Sequence, residues 1–137
     1  MFPATRMRRL RAHAKVRELV RGTRVTPKDL VNPIFVDERL RAPQPVESMP
    51  GIYRHGLQTV AKEAAEVADL GIPGVILFGI PKEKDEGGSG AYAKDGVVQE
   101  AIRRIKEVAD VAVIADLCLC EYTSHGHCGL LRGARID

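Results

Sequence analysis

The sequence predicts an α/β protein, a parallel sheet covered by helices and preceded by a basic arm. Three observations lead there. Short runs that are apolar at every position alternate with longer stretches of helical periodicity, in the order strand, helix, strand, helix, strand. Strands without a polar face belong to parallel sheets buried on both sides. Charge is segregated: residues 1–30 hold nine Lys/Arg and two acids, a net +7, whereas the other 107 residues hold twelve bases and sixteen acids, a net −4.

The elements follow in order. Arg6 to Arg21 is expected to be partly helical, with a weak stripe at Leu10, Ala14, Arg17 and Leu19, and Gly22 breaks it. Thr26-Pro27-Lys28-Asp29 reads as a helix start, with Thr26 as cap, Pro27 at the first helical position and Asp29 near the positive helix end. Asn32-Pro33 restricts that helix to one turn. Pro33–Val36 is the first strand. Residues 37–55, with Pro43, Pro45 and Pro50, read as irregular.

An amphipathic helix follows, with Leu57, Val60, Ala61, Ala64, Val67 and Ala68 on one side and Lys62, Glu63 and Glu66 on the other. Gly71 caps it and Pro73 prevents continuation. Gly74–Gly79 is the second strand. A polar, glycine-rich loop from Pro81 to Lys94 separates it from a helix starting near Asp95, whose apolar face is Val98, Ala101, Ile102 and Ile105. Val111–Ala115 is the third strand. The crossovers are right-handed. Periodicity leaves two architectures open: an open doubly wound sheet, or part of a closed barrel. A complete eightfold barrel is excluded, since it needs about 200–250 residues and the sequence has 137.

Composition narrows the class. With 45% apolar and 28% charged residues the chain is globular. No apolar run approaches the ~18 residues of a spanning helix, so no membrane partner is expected. The basic start lacks the apolar stretch of a secretory signal. Three cysteines form a poor disulfide framework and point to a reducing, cytoplasmic setting with free thiols. The arm is read as docking on an acidic surface of its own protein or of a partner subunit. Nucleic acid is the disfavoured partner, because the arm's only aromatic residue is Phe2 and no nucleic-acid fold follows.

Chemistry concentrates at one strand end. Ligands of parallel α/β folds bind at the C-terminal ends of strands, and the third strand runs directly into DLCLCEYTSHGHCG, residues 116–129. All three cysteines lie here, as C-x-C-x7-C. Thiolates are soft donors suited to zinc. Three ligands leave a tetrahedral position open, the catalytic pattern, whereas structural zinc sites close all four. The competing reading is three buried, unreactive thiols. His125 and His127 are candidates for a fourth ligand, against solvated imidazoles in a glycine-rich turn. Asp116 is a candidate to orient a substrate amine or a metal-bound water. The Gly87–Gly90 segment lacks a phosphate-loop pattern and reads as a flexible loop over the site.

At residues 116–129 the sequence resembles the metal-binding signature of the porphobilinogen synthase (5-aminolevulinate dehydratase) family. RMRRLR (6–11), TPKDLVNPIFV (26–36), SMPGIYR (48–54), LGIPGVILFGIPKEKDEGGSGAY (70–92) and DGVVQEAIRRIKE (95–107) are similar to words of that family, in the same order. The resemblance implies the N-terminal part, about three βα units, of a (β/α)8 TIM barrel preceded by an extended basic arm. The arm would be residues 1–31 and the partial barrel residues 32–137, ending just after the third strand and its metal loop.

It also implies the condensation of two 5-aminolevulinate molecules to porphobilinogen in tetrapyrrole synthesis. Cys118, Cys120 and Cys128 would be ligands of a catalytic Zn2+, with Asp116 in support. It implies a homo-oligomer, usually an octamer, in which the arm wraps a neighbour. Family members are more than twice this length, and their two active-site lysines, one a Schiff-base former, lie in the second half. Lys15, Lys28, Lys62, Lys82, Lys84, Lys94 and Lys106 fall in arm, helix or loop segments outside such a motif. The expectation is a truncated chain, inactive alone. The alternative is a stand-alone small zinc- or nucleic-acid-binding module. Such a module should close its metal site and sheet edge within 137 residues, and this sequence does neither.

Overall fold

The structure, a computed structural model, describes residues 3–133, 135 and 136. Met1 and Phe2 of the predicted arm, and Ala134 and Asp137 of the predicted barrel portion, lie outside the described residues. The arm holds a 3-10 turn at Arg9–Arg11 and a short helix α1, Ala14–Leu19. Every residue from 3 to 30 except Val16 is exposed, so α1 buries no apolar face. The one-turn helix predicted at Thr26 is a 3-10 turn, Pro27–Asp29. The Asp29 carboxylate accepts from the Thr26 N–H at 2.8 Å and from its hydroxyl at 2.9 Å. These bonds, the backbone one first, hold the Asp29 pKa below its ordinary value.

Strand β1 spans Val31–Asp37, longer than the expected Pro33–Val36 because it also takes in Val31, Asn32 and Asp37. Its neighbour on one side begins pairing only at Phe35. One side of Pro33 is therefore a sheet edge, where a residue without an N–H is tolerated. The stretch read as irregular contains two short strands, β2 (Gln44–Pro45) and β3 (Tyr53–His55). β3 lies parallel to β1 and antiparallel to β2. Strands of two and three residues carry no periodicity to read. The turn between them is closed by backbone bonds, with the Val46 N–H donating to the Ile52 carbonyl at 2.9 Å.

Helix α2, Val60–Asp69, buries Val60, Ala64 and Val67. It ends as its glycine predicts. Gly71 has φ +76°, its N–H donates to Ala68 O, and the Ile72 N–H donates to Val67 O, the paired bonds of a glycine C-terminal cap. Strand β4 is Gly74–Ile80 and helix α3 is Val97–Val108. Strand β5 is Ala112–Ala115. A two-stranded ribbon, β6 (Leu131–Arg132) with β7 (Arg135–Ile136), was not foreseen.

The main sheet has the order β2-β3-β1-β4-β5. β1, β4 and β5 are parallel neighbours in chain order, with Ile34 opposite Leu77 and Leu77 opposite Ala115. Ile34, Val36, Val75 and Leu77 are fully buried and form one core with Val60, Ala64, Val67, Val98, Ala101 and Ile105 of the helices. Because α2 and α3 also pack on each other, both cover the same face. The opposite face holds Phe35 and Phe78, side by side with ring centroids 5.6 Å apart and only half-buried. Helices on one face, with strands advancing in chain order, is the arrangement of a barrel wall rather than of a doubly wound sheet, whose helices cover both faces. The third strand departs from expectation: Ala112, Ile114 and Ala115 are exposed, because β5 is the sheet's last strand among the described residues.

Candidate metal centre

The end of β5 and the loop after it build the site. The Asp116 N–H still donates to the Leu77 carbonyl at 3.3 Å, and the chain then leaves β4, which continues to Ile80. Asp116 is exposed at that departure and Leu117 is almost fully so, at 99%. The chain next turns back. The N–H groups of Tyr122 and Thr123 both donate to the Leu119 carbonyl at 2.9 Å, which brings Cys118 and Cys120 to one side of the turn.

The three predicted thiols converge. Cys118 Sγ lies 2.7 Å from Cys120 Sγ and 3.1 Å from Cys128 Sγ, and all three sulfurs fall within 4.8 Å of one another. Tetrahedral Zn–S bonds of about 2.3 Å would spread such sulfurs to about 3.8 Å, so one ion could reach all three after a small outward shift. Cys118 and Cys120 are half-buried and Cys128 is exposed. The donor set thus fits one soft metal ion, open on the solvent side. Hydrogen bonding to Cys120 and then Cys128 pushes the Cys118 pKa up to about 12. The bond from Cys118, then backbone N–H groups, holds the Cys128 pKa below its ordinary value.

The histidines stay outside this cluster. The His125 and His127 rings stack with centroids 5.8 Å apart, and His125 Nδ1 accepts from the His127 N–H at 3.2 Å. His125 Nε2 lies 3.3 Å from the Glu86 carbonyl.

The structure adds residues that were not singled out. Glu121 Oε2 accepts from the Gly79 N–H at 3.1 Å. Burial, then the nearby Asp116 carboxylate, raises the Glu121 pKa. Tyr122 is 5% exposed and belongs to the core. Its phenol pKa is pushed up to about 12, mainly by burial. Thr123 is also buried, and its hydroxyl donates to the His127 carbonyl at 2.9 Å. The glycine-rich loop is stitched to this turn: Asp85 bridges Thr123 in parallel register, and the Ser124 N–H donates to the Asp85 carbonyl at 2.9 Å. The Asp85 carboxylate in turn accepts from Ser89, backbone and hydroxyl. Glu121 was findable as a carboxylate adjoining Cys120. Asp85 lies more than thirty positions upstream and carried no local signal.

A parallel barrel wall with a thiol cluster at the C-terminal end of its strand is the layout of a TIM-barrel enzyme's active face. The comparisons specify which. The profile of the delta-aminolevulinic acid dehydratase family matches residues 4–137. A delta-aminolevulinic acid dehydratase of Methanothermus sociabilis is 44% identical over 135 residues, 98% of this chain and 42% of the relative. One of Bacillus subtilis is 50% identical over 132 residues, 96% of this chain and 41% of the relative. The crystal structure of the Toxoplasma gondii ME49 enzyme, in complex with its reaction product porphobilinogen, superposes with TM-score 0.86 at 33% identity. That match covers 97% of this chain and 38% of the other. The chain belongs to the delta-aminolevulinic acid dehydratase family, and it spans about two fifths of the length of the curated relatives it matches. Its fold is the corresponding part of an α/β barrel.

Proposed function

We propose that this chain supplies the metal-binding part of a porphobilinogen synthase, which condenses two 5-aminolevulinate molecules to porphobilinogen with loss of two waters. The observation that carries the reading is the convergence of Cys118, Cys120 and Cys128 in a chain of this family. These three thiolates would hold Zn2+, and when bound the ion would supply Lewis-acid polarisation of a substrate oxygen. Asp116, exposed at the end of β5 two residues before Cys118, is assigned to orient the substrate amine. Covalent catalysis by a lysine needs its amine deprotonated near neutral pH. That role is assigned to lysines in the portion of the family beyond this match, and these 137 residues alone are expected to be inactive.

The arm, residues 1–31, is assigned to docking on a neighbouring copy in a homo-oligomer, an octamer by resemblance, and residues 32–137 to the barrel, with Val31 at the junction already paired to Gly74 in β1. A net +7 on residues 1–30 facing −4 on the remainder favours that docking. No helix among the described residues is long and apolar enough to cross a membrane, and free thiols suit a cytoplasmic setting.

A chimera tests the function. Residues 3–136 replace the matched portion of the Bacillus subtilis relative, and porphobilinogen formation is assayed with and without zinc. Zinc-dependent turnover, abolished by Cys118→Ser/Cys120→Ser/Cys128→Ser, is the expected result. A folded chimera that forms no porphobilinogen overturns the reading.

A further inference from the structure

We infer that Glu121 is the positioning residue of the metal centre: its carboxylate completes the β4 hydrogen-bond ladder where β5 ends, and so holds the cysteine turn in its binding shape. The inference rests on the metal-binding reading of the three cysteines. β5 pairs with β4 only as far as Ala115 opposite Leu77, while β4 runs on through Phe78, Gly79 and Ile80. The Gly79 N–H would then face a vacant ladder position beside a buried core. Glu121 Oε2 takes that position at 3.1 Å, across 42 residues of sequence. A buried N–H left without an acceptor is destabilising, which favours keeping this bond.

Glu121 directly follows Cys120 and precedes Tyr122, whose ring is locked in the core. A tether on Glu121 therefore fixes the backbone that carries Cys120 Sγ. Groups that orient metal ligands without touching the metal typically change affinity about 10–100-fold. The tether requires reach and an acceptor oxygen, not charge, and this separates it from a carboxylate that helps hold the ion.

Two conservative variants of the 137-residue chain distinguish the cases. Glu121→Asp keeps the charge but is one methylene too short to reach the Gly79 N–H. Glu121→Gln keeps the reach and an acceptor oxygen but loses the charge. Co2+ is titrated into reduced protein and followed by its thiolate charge-transfer and ligand-field bands, with far-UV circular dichroism as the fold control. The expected result is Co2+ affinity about tenfold weaker in Glu121→Asp and within about threefold of wild type in Glu121→Gln, with altered ligand-field bands only in the former. Equal affinity in both variants, or loss in Glu121→Gln alone, overturns the inference. A wild-type chain whose Co2+ spectrum shows no thiolate bands overturns the metal centre itself. Should Glu121→Asp lose its dichroism, Glu121→Gln decides: binding weakened tenfold or more in that variant refutes the role.

Discussion

The Tyr122 hydroxyl occupies the space that a side chain on Gly79 would need. A Cβ there would also lie 2.7 Å from Val98 Cγ2 and 3.0 Å from Val97 Cγ1. The absence of a side chain at 79 is what lets the cysteine turn pack against the sheet and α3. Gly79→Ala is expected to destabilise the fold by about 1–3 kcal/mol through overpacking. Tyr122→Phe removes the closest clash and should recover part of that loss when combined with it. Urea melts of the two single variants and the double variant close the cycle, and strictly additive effects would refute the contact.

Asp37 supplies a pH dependence. It is 1% exposed at the end of β1, and Arg39 grips it with bonds of 2.9 and 2.7 Å while Arg54 stands at 3.9 Å. The Arg39 side-chain bond is the main reason its pKa lies below the ordinary carboxylate value. A depressed folded-state pKa gives stability that is present above the unfolded value of about 3.9. That stability is lost as the pH falls from there through the folded pKa. Asp37→Asn is expected to cost about 1–2 kcal/mol at pH 7, discounted because Arg39 is half exposed, and to flatten stability across that acidic window. Denaturant melts from pH 6 to pH 3 check this; parallel wild-type and Asp37→Asn curves would refute it.

Most of the architecture was legible because it rests on periodicity. The Val60–Val67 and Val98–Ile105 faces, and the all-apolar runs at Pro33–Val36 and Gly74–Gly79, lie where the pattern put them. What periodicity could not provide was which side of the sheet each helix covers. That follows from α2 packing on α3, a relation between distant segments. β2 and β3 were missed because Gln44, Pro45 and Arg54 belong to a pairing set by a turn, not by apolar alternation. At the site the three thiols were readable as a cluster from spacing. The Asp85 and Gly79 anchors were not, since backbone groups carry no residue signature.

Zinc removal offers a direct test of the thiols. The purified reduced chain is expected to bind about one zinc per chain and Cys118→Ser/Cys120→Ser/Cys128→Ser essentially none, as measured by elemental analysis after gel filtration. Chelation should release the zinc without melting the main sheet, because none of its core residues is a thiol. Equal zinc in both proteins would remove the assignment.

Ile105 tests the helix layer. It is fully buried between α3 and the sheet, so Ile105→Ala should cost about 2–5 kcal/mol. Leu70→Ala, at a position 68% exposed, should stay within about 0.5 kcal/mol. Comparable midpoints for the two variants in urea would contradict the packing.

The arm makes the oligomer testable. In the chimera described above, deletion of residues 3–22 should lower the sedimentation coefficient to that of a smaller assembly. Tight duplex DNA binding with steep salt dependence by the intact chain would instead assign the arm to nucleic acid.

The exposure of residues 3–30 also sets where a protease enters. Nine Lys/Arg between Arg6 and Lys28 lie on backbone with almost no buried support, whereas Arg104 on α3 is tied to the Leu57 carbonyl at 3.2 Å. Cleavage concentrates where backbone opens at little free-energy cost. Brief trypsin treatment of the free chain will therefore trim it stepwise from its N-terminal side and leave a product that begins near Val25 or Asp29. In an assembly whose subunits clasp one another through this segment, the same cuts will be slowed, and the digestion rate itself becomes a gauge of how many arms are engaged.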